Sequence, residues 1–276
     1  MPKVFHKDSV LENPLPYSSA LELLMGLADF ERSKHSPGHS SFHLERINLL
    51  MRHLQEVHHK IPTIHIAGTK GKGSTCAMVT SILSEHGKKV GFFSSPHLHS
   101  AVERIRIGSE PISQEDFAGL VRVIWPIVEE VSLRGGYGGV TTFEAMTCMG
   151  FRHFYNVNAD FQVIEVGMGG RLDATNIVSP KITAITSISL DHVGTLGDTI
   201  GKIAVEKAGI IKRGIPVVLA PQPAEAREVI YRIANNLESP VIDVEENYSW
   251  KDLKSGRQDT VAVSYTHLTL PTSDLV

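Results

Sequence analysis

Residues 61–86 decide the fold, and they read IPTIHIAGTKGKGSTCAMVTSILSEH. The first part, residues 61–67, is an apolar run with several β-branched side chains, which is typical of a short buried strand. Residues 74–86 have the apolar spacing of a helix, and Gly87 follows them as a stop signal. A strand, a glycine-rich loop and a helix in this order predict a phosphate-binding loop.

The loop between this strand and this helix contains the residue types that a nucleoside triphosphate requires. Its glycines let the main chain approach the phosphates, and the start of the helix presents inward-turned N–H groups. Lys72 is suited to the β- and γ-phosphate oxygens, and a following hydroxyl to the accompanying metal ion. The spacing departs from the strict G-x-x-x-x-G-K-[ST] pattern, because Gly73 separates Lys72 from Ser74. The alternative is a merely flexible surface loop. The predicted ATP-binding residues are Gly68, Thr69, Gly71, Lys72, Gly73 and Ser74.

Strands and helices alternate along the chain beyond this loop. The strands are near-continuous apolar runs, so both faces of their sheet should be covered by helices. Short connections between them favour parallel pairing through right-handed crossovers. The sequence therefore predicts an α/β fold with an open, mostly parallel sheet and helices on both faces. The further strands are predicted over residues 89–93, 161–166, 182–189, 216–219 and 240–244, and the helices over residues 114–131, 142–155, 200–211 and 224–237.

Three regions are expected. Residues 1–60 hold two helical stretches, 18–30 and 42–57, split by Ser36-Pro37-Gly38, and should form a short helical preface packed on the central domain. Residues 61–245 form the ATP-binding domain. Residues 246–276 carry no clear pattern and are expected to be an irregular, poorly packed tail.

Composition excludes several classes of function. The 276 residues are 42% hydrophobic and 21% charged, with a formal net charge of −3. A charge this small offers no basic footprint for nucleic acid and no basic face for a membrane surface. The two cysteines are too few for a disulfide scaffold and suit a reducing compartment. We therefore expect a monomeric cytoplasmic protein that acts on small molecules.

Polar residues follow several of the predicted strands, at the sheet edge where ligands of open α/β folds bind. Ser95 follows one strand, Glu165 lies near the end of another, and His192 follows a third. Lys207 interrupts an apolar helix. Taken singly, Glu165 could belong to a buried ion pair and Lys207 could extend to solvent. Together they fit a magnesium–ATP site.

These segments, in this order, resemble the Mur ligase superfamily, and within it the folylpolyglutamate synthases and dihydrofolate synthases. Residues 43–47 (HLERI) also resemble that branch's G-L-E-R-I segment, with His in place of Gly. The resemblance covers residues 17–222. The segments that carry it are GTKGKGS at 68–74, SSPH at 94–97, EVGMGGRLDATN at 165–176, LDH at 190–192 and EKAGI at 206–210.

The resemblance implies a role for each site residue. Ser95 and Glu165 would ligate one Mg²⁺ and His192 a second. Lys72, Lys207 and His192 would be catalytic, and Lys207 would be carbamylated. The positions expected to bind folate are Thr142, Phe143, Glu144, Arg171, Leu172 and Asp173.

The implied reaction is an ATP-dependent ligation of L-glutamate to a folate, to dihydropteroate, or to both, through an acyl phosphate. The alternatives are another Mur-type amino-acid ligase and a non-catalytic P-loop nucleotide-binding module. The family also has a C-terminal domain with Pro-Gly-Arg and Asp-Gly-Ala-His-Asn segments, and neither string occurs here. We therefore expect the C-terminal glutamate-ligase domain to be absent and this chain alone to be inactive.

Overall fold

The structure is a computed structural model, and it describes residues 14–29, 42–253 and 261–266. Its main sheet has the strand order β4-β3-β2-β5-β1-β6-β7-β8. The six neighbouring strands β2, β5, β1, β6, β7 and β8 are all parallel, and β3 and β4 pair antiparallel at one edge. The strands are β1 Thr63–Ala67, β2 Val90–Phe93, β3 Ile105–Ile107, β4 Glu110–Pro111, β5 Phe161–Glu165, β6 Ile182–Ile185, β7 Val217–Leu219 and β8 Val241–Asp243.

Helices connect these strands, and their ends follow local capping chemistry. Ser113 caps one helix, since its Oγ accepts a hydrogen bond from the Asp116 amide. Thr141 and Glu144 form a capping box at the next. The helices are α1 Tyr17–Met25, α2 Glu45–His53, α3 Lys72–Glu85, α4 Gln114–Arg134, α5 Thr142–Asn156, α6 Val193–Leu196, α7 Ile200–Ala208, α8 Ala224–Asn236 and α9 Val244–Asn247.

The predicted sheet with helices on both faces is confirmed. Cys76 of α3 packs with Phe92 and Val163, which lie on one face of the sheet. Phe93 and Ile164 alternate with these residues, and they pack with α4 and α5 on the opposite face. α1 and α2 join that second cluster and contact α4 and α5. Ser36-Pro37-Gly38 lies outside the described residues.

Three sequence expectations differ from the structure. The antiparallel edge strands β3 and β4 were not predicted, because each is only two or three residues long. The strand predicted over residues 182–189 ends at Ile185, because the following backbone bonds the phosphate loop instead. The tail expected to be irregular contains an antiparallel pair, β9 Tyr248–Leu253 and β10 Val261–Thr266. Residues 261–266, VAVSYT, have the β-branched and aromatic content that favours a strand.

None of the helices in the described ranges is long and apolar enough to cross a lipid bilayer.

Candidate active site

A cavity of about 350 Å³ opens beside the loops that follow β2, β5 and β6. Its walls come from Ser95 and its neighbours, from residues 167–170 and 172–174, and from His192 and α6. The N-terminal ends of α2 and α5 close the remaining side. Residues far apart in the sequence therefore meet at the sheet edge where the polar strand ends were predicted to converge.

The phosphate loop lies directly after β1 and is tied to the loop after β6. The amides of Thr69 and Lys70 donate to the Ser187 carbonyl at 3.0 and 3.4 Å. Gly68 is required at its position, because an added Cβ would lie 1.8 Å from Thr186 Oγ1 and its φ is +143°. Gly71 precedes α3 with a φ of +84°, which also favours glycine. The loop is thus held in a conformation that only glycines permit.

Lys72 begins α3, and its Nζ donates to the Thr69 carbonyl at 3.4 Å, so its side chain folds back over the loop. Ser74 lies exposed in the first turn of α3. Because the first N–H groups of a helix have no intrahelical acceptor, α3 presents donors and a positive dipole end at the loop. This arrangement suits an anionic phosphate group.

Glu165, only 5% exposed, lies between the phosphate loop and the loop after β2. Its Oε2 accepts a hydrogen bond from the Ser95 amide at 3.3 Å. A Cβ added to Gly73 would lie 3.3 Å from the same oxygen, so the start of α3 is equally close. Ser95 Oγ is buried without a hydrogen-bond partner among the described residues. A buried carboxylate beside an unsatisfied hydroxyl fits a divalent cation that prefers oxygen ligands.

Lys207 connects α7 to the phosphate loop. It is 2% exposed, and its Nζ donates to the Gly68 carbonyl at 2.7 Å. Burial, and secondarily the positive charge of Lys72, lowers the pKa of Lys207 to about 8. The negative charges of Asp191 and Asp173 act in the opposite direction. Lys207 is therefore buried against the glycine-rich loop after β1 rather than extended into solvent.

His192 lines the same cavity from the start of α6. Its side chain is half exposed, and its Nε2 lies 3.5 Å from Asp191 Oδ1. Within the part of the chain that the structure describes, no three His, Cys, Asp or Glu side chains form a metal cage. A cation bound in this cavity would therefore need further ligands, namely the hydroxyl of Ser95 and phosphate or water oxygens.

Four of the six predicted folate-binding residues, Phe143, Glu144, Leu172 and Asp173, line the cavity. Phe143 and Asp173 approach each other across Gly167, where an added Cβ would lie 2.6 Å from the Phe143 ring and 3.2 Å from Asp173 Oδ2. An aromatic ring and a carboxylate thus border one space, which suits a flat heterocycle that donates hydrogen bonds.

Thr142 and Arg171, which do not line the cavity, and Glu144, which does, all have partners within the chain. Thr142 is buried, and its hydroxyl donates to the Leu24 carbonyl at 3.0 Å. Glu144 reaches the cavity wall, but its oxygens accept from Arg46 Nε at 2.9 and 3.0 Å. Arg171 pairs with Glu206 at 2.9 Å. These contacts hold the walls of the cavity together.

No family model matches the chain. A curated relative, the dihydrofolate synthase/folylpolyglutamate synthase of Bacillus subtilis, is 46% identical over 198 residues, which are 71% of this chain. The chain belongs to the folylpolyglutamate synthase and dihydrofolate synthase family. It covers 46% of the Bacillus protein, so it spans about half the length of that relative.

Solved structures of this synthase family have the same fold. The folylpolyglutamate synthase of Thermotoga maritima aligns with a TM-score of 0.75 at 37% identity, over 87% of this chain and 52% of the other. A folylpolyglutamate synthase complex with AMPPCP and folate aligns with a TM-score of 0.78 at 31% identity, over 88% and 57%. Both alignments support the fold derived above.

Two side chains that line this cavity were not predicted from the sequence. Arg104 is buried and lines the cavity, and its Nε donates to His97 Nδ1 at 2.9 Å. His97 belongs to the SSPH segment, which by itself predicts no role for it, and nothing near Arg104 in the sequence indicates a site. Arg46 likewise lies in the HLERI segment, and only the fold brings it to Glu144.

Proposed function

We propose that the chain supplies the ATP- and folate-binding part of a synthase that joins L-glutamate to a folate, to dihydropteroate, or to both. The observation that carries the proposal is the convergence of the phosphate loop, Glu165, Lys207 and the Phe143–Asp173 space at one sheet edge. Two relatives support it, since one is named for both activities and the other was solved with AMPPCP and folate.

In the proposed reaction, a substrate carboxylate oxygen attacks the γ-phosphorus of ATP, which gives an acyl phosphate and ADP. The amino group of L-glutamate then attacks the acyl carbon, an amide forms, and phosphate leaves. The chain's residues act mainly by bringing anionic groups together and neutralising them. Lys72 and the first amides of α3 would hold the phosphates in place.

Mg²⁺ is the expected partner of this site, with Ser95 and Glu165 holding one ion and His192 approaching a second. When bound, the ions supply positive charge that stabilises the phosphate oxygens. The orphaned Ser95 hydroxyl beside Glu165 supports the first site. The half-exposed His192 on the cavity wall supports the second, with phosphate oxygens as its remaining ligands.

Lys207 is proposed to carry a carbamate, formed when its neutral amine adds to CO₂ and releases a proton. The lowered pKa of about 8 supports this, because more of the amine is neutral near physiological pH. With ¹³C-labelled bicarbonate, we expect a carbamate ¹³C signal that disappears in Lys207→Met. Lys212→Met is the control, since Lys212 is another lysine whose pKa burial lowers. A signal that survives Lys207→Met would reject this assignment.

The phosphate loop is tested by nucleotide binding, measured by calorimetry with AMPPCP. We expect Lys72→Ala to weaken binding by about tenfold to a hundredfold, because a charge-assisted contact to phosphate is lost. Lys70→Ala is the matched control, since Lys70 is exposed in the same loop. Equal binding by Lys72→Ala and the unmodified chain would contradict the assigned loop.

The identity of the folate substrate is tested by comparing the binding of dihydropteroate and tetrahydrofolate to the chain. We expect Phe143→Ala to weaken both by about tenfold, because a stacking surface is removed. AMPPCP binding should be unchanged and serves as the control. Tight binding of only one of these two ligands would assign the activity to that substrate, and binding of neither would reject the folate proposal.

The same proposal holds that the protein is a monomer that acts in the cytoplasm on small molecules, without nucleic-acid or membrane partners. The net charge of −3 and the two buried free cysteines, Cys76 and Cys148, support it. Light scattering coupled to size-exclusion chromatography would test the monomer.

A further inference from the structure

His65 is a buried polar residue that the proposed reaction does not use. It lies in the middle of β1, in the centre of the sheet, with no exposed surface. A buried imidazole is unfavourable unless it is hydrogen-bonded. Its Nε2 lies 2.9 Å from Thr175 Oγ1, while its Nδ1 has no hydrogen-bond partner among the described residues. One specific contact therefore accounts for the orientation of the ring.

The direction of that hydrogen bond follows from Thr175. The Thr175 hydroxyl donates its single proton to Asp173 Oδ1, so it must accept from His65. His65 Nε2 is then the protonated nitrogen, which leaves Nδ1 bare, in agreement with its lack of a partner. Burial, and secondarily the charge of Lys212, lowers the pKa of His65 to about 3. The ring is therefore neutral at physiological pH and donates through one nitrogen.

This chain of hydrogen bonds ends on the carboxylate that borders the cavity. Asp173 Oδ1 accepts from the Thr175 hydroxyl and from the Thr175 amide, the latter at 3.0 Å. Asp173 Oδ2 accepts from the Met168 amide at 2.9 Å. Donors on both oxygens fix the plane of the carboxylate, and His65 fixes the Thr175 hydroxyl that provides one of them.

We propose that His65, acting through Thr175, positions the Asp173 carboxylate to accept hydrogen bonds from the amino-pyrimidine edge of the bound ring. This inference rests on the proposed function, because it assumes that Asp173 meets the ring. His65 touches no substrate and is a positioning residue. A neutral donor anchored in the central strand holds Asp173 without adding a charge that would compete for it. The ligand class is a planar heterocycle with adjacent N–H donors.

The test measures dihydropteroate binding by ligand fluorescence and AMPPCP binding by calorimetry on the same variants. We expect His65→Leu to weaken dihydropteroate binding by about tenfold, because the carboxylate loses its fixed orientation. AMPPCP binding should stay within about twofold. His65→Gln should restore most of the affinity, since its side-chain amide offers a donor near the position of Nε2. If His65 only stabilised the fold, His65→Leu would lower the melting temperature but would not weaken dihydropteroate binding more than AMPPCP binding.

Thr175 provides a second, independent test, which also serves if His65→Leu does not fold. Thr175→Val should weaken dihydropteroate binding as His65→Leu does, whereas Thr175→Ser keeps the hydroxyl and should bind normally. The double variant His65→Leu/Thr175→Val should bind no more weakly than Thr175→Val alone, because His65 acts through that hydroxyl. If the double variant instead bound dihydropteroate more weakly than Thr175→Val alone, by the product of the two single losses, the proposal would be overturned.

Two outcomes separate this inference from the function on which it rests. If the unmodified chain binds dihydropteroate and a folded His65→Leu variant binds it equally well, the positioning role is wrong and the proposed function stands. If the unmodified chain binds AMPPCP but neither dihydropteroate nor tetrahydrofolate, the folate function is wrong and the positioning role is rejected with it.

Discussion

Lys207 illustrates how burial changes the chemistry of a single residue. An unfolded lysine has a pKa near 10.5, whereas burial beside Gly68 lowers that of Lys207 to about 8. Between these values the unfolded chain binds more protons than the folded chain. The free energy of unfolding should therefore rise with pH across this window, by at most ~1.4 kcal/mol per unit from this group.

The variant Lys207→Met should lose this part of the pH dependence. The measurement is urea-induced unfolding at several pH values between 7.5 and 10.5, in buffers free of CO₂. Cys76 is present in both proteins, so its raised thiol pKa, which acts in the opposite direction at high pH, cancels in the comparison. Identical pH profiles for the two proteins would show that Lys207 titrates normally.

Gly68 is the second residue with a specific requirement. The change Gly68→Ala would place a Cβ 1.8 Å from Thr186 Oγ1 at a φ of +143°. We expect a loss of about 2 kcal/mol or more in the free energy of unfolding, together with loss of AMPPCP binding. Gly139→Ala is the control, because its Cβ would meet no atom within 4 Å. Chemical unfolding and calorimetry of both variants provide the comparison.

At the level of elements, one buried ion pair ties α2 to the start of α5. Arg46 Nε bonds Glu144, while the Glu144 carboxylate also accepts from the Thr141 amide at 2.8 Å. Removing this ion pair should therefore loosen both the contact between α2 and α5 and the wall of the cavity. The Thr-x-x-Glu pattern of the cap is visible in the sequence, but its arginine partner is 98 residues away.

The variant Arg46→Met should lower the free energy of unfolding by about 3–5 kcal/mol, because it leaves a buried carboxylate without its cation. Adding Glu144→Gln should recover part of the loss, since the uncompensated charge is then removed. Lys202→Ala is the control, because it breaks an exposed pair with Asp198 and should therefore change the free energy of unfolding far less. Urea unfolding of the four proteins would decide, and equal losses for Arg46→Met and Lys202→Ala would contradict the structural role.

At the level of the whole molecule, the sheet is stabilised by packing on both faces. Phe154 of α5 is fully buried, and it packs so closely on β2 that a Cβ on Gly91 would lie 2.4 Å from its ring. Phe154→Ala should therefore cost about 3–5 kcal/mol of unfolding free energy. Leu133→Ala, on the exposed side of α4, should change it by at most about 0.5 kcal/mol. Similar melting temperatures for these two variants would contradict the described core.

The sequence alone determined the α/β class, the glycine-rich loop after β1 and most of the strands and helices. These features depend on residues that are adjacent or a few positions apart, such as the glycines of residues 68–73 and the Ser113 cap. Local sterics and hydrophobic periodicity set them before any long-range contact forms. The order of the strand-end motifs along the chain was also sufficient for the resemblance to the synthase family.

Only the tertiary structure decided which side chains reach the cavity and which hold its walls. Thr141 faces the cavity and Thr142 packs inward, because the packing of α5 on the sheet sets the rotation of that helix. The contacts between Arg46 and Glu144 and between His65 and Thr175 join residues 98 and 110 positions apart. Such pairs leave no periodic signal in the sequence, because their distance depends on how strands and helices are arranged in space.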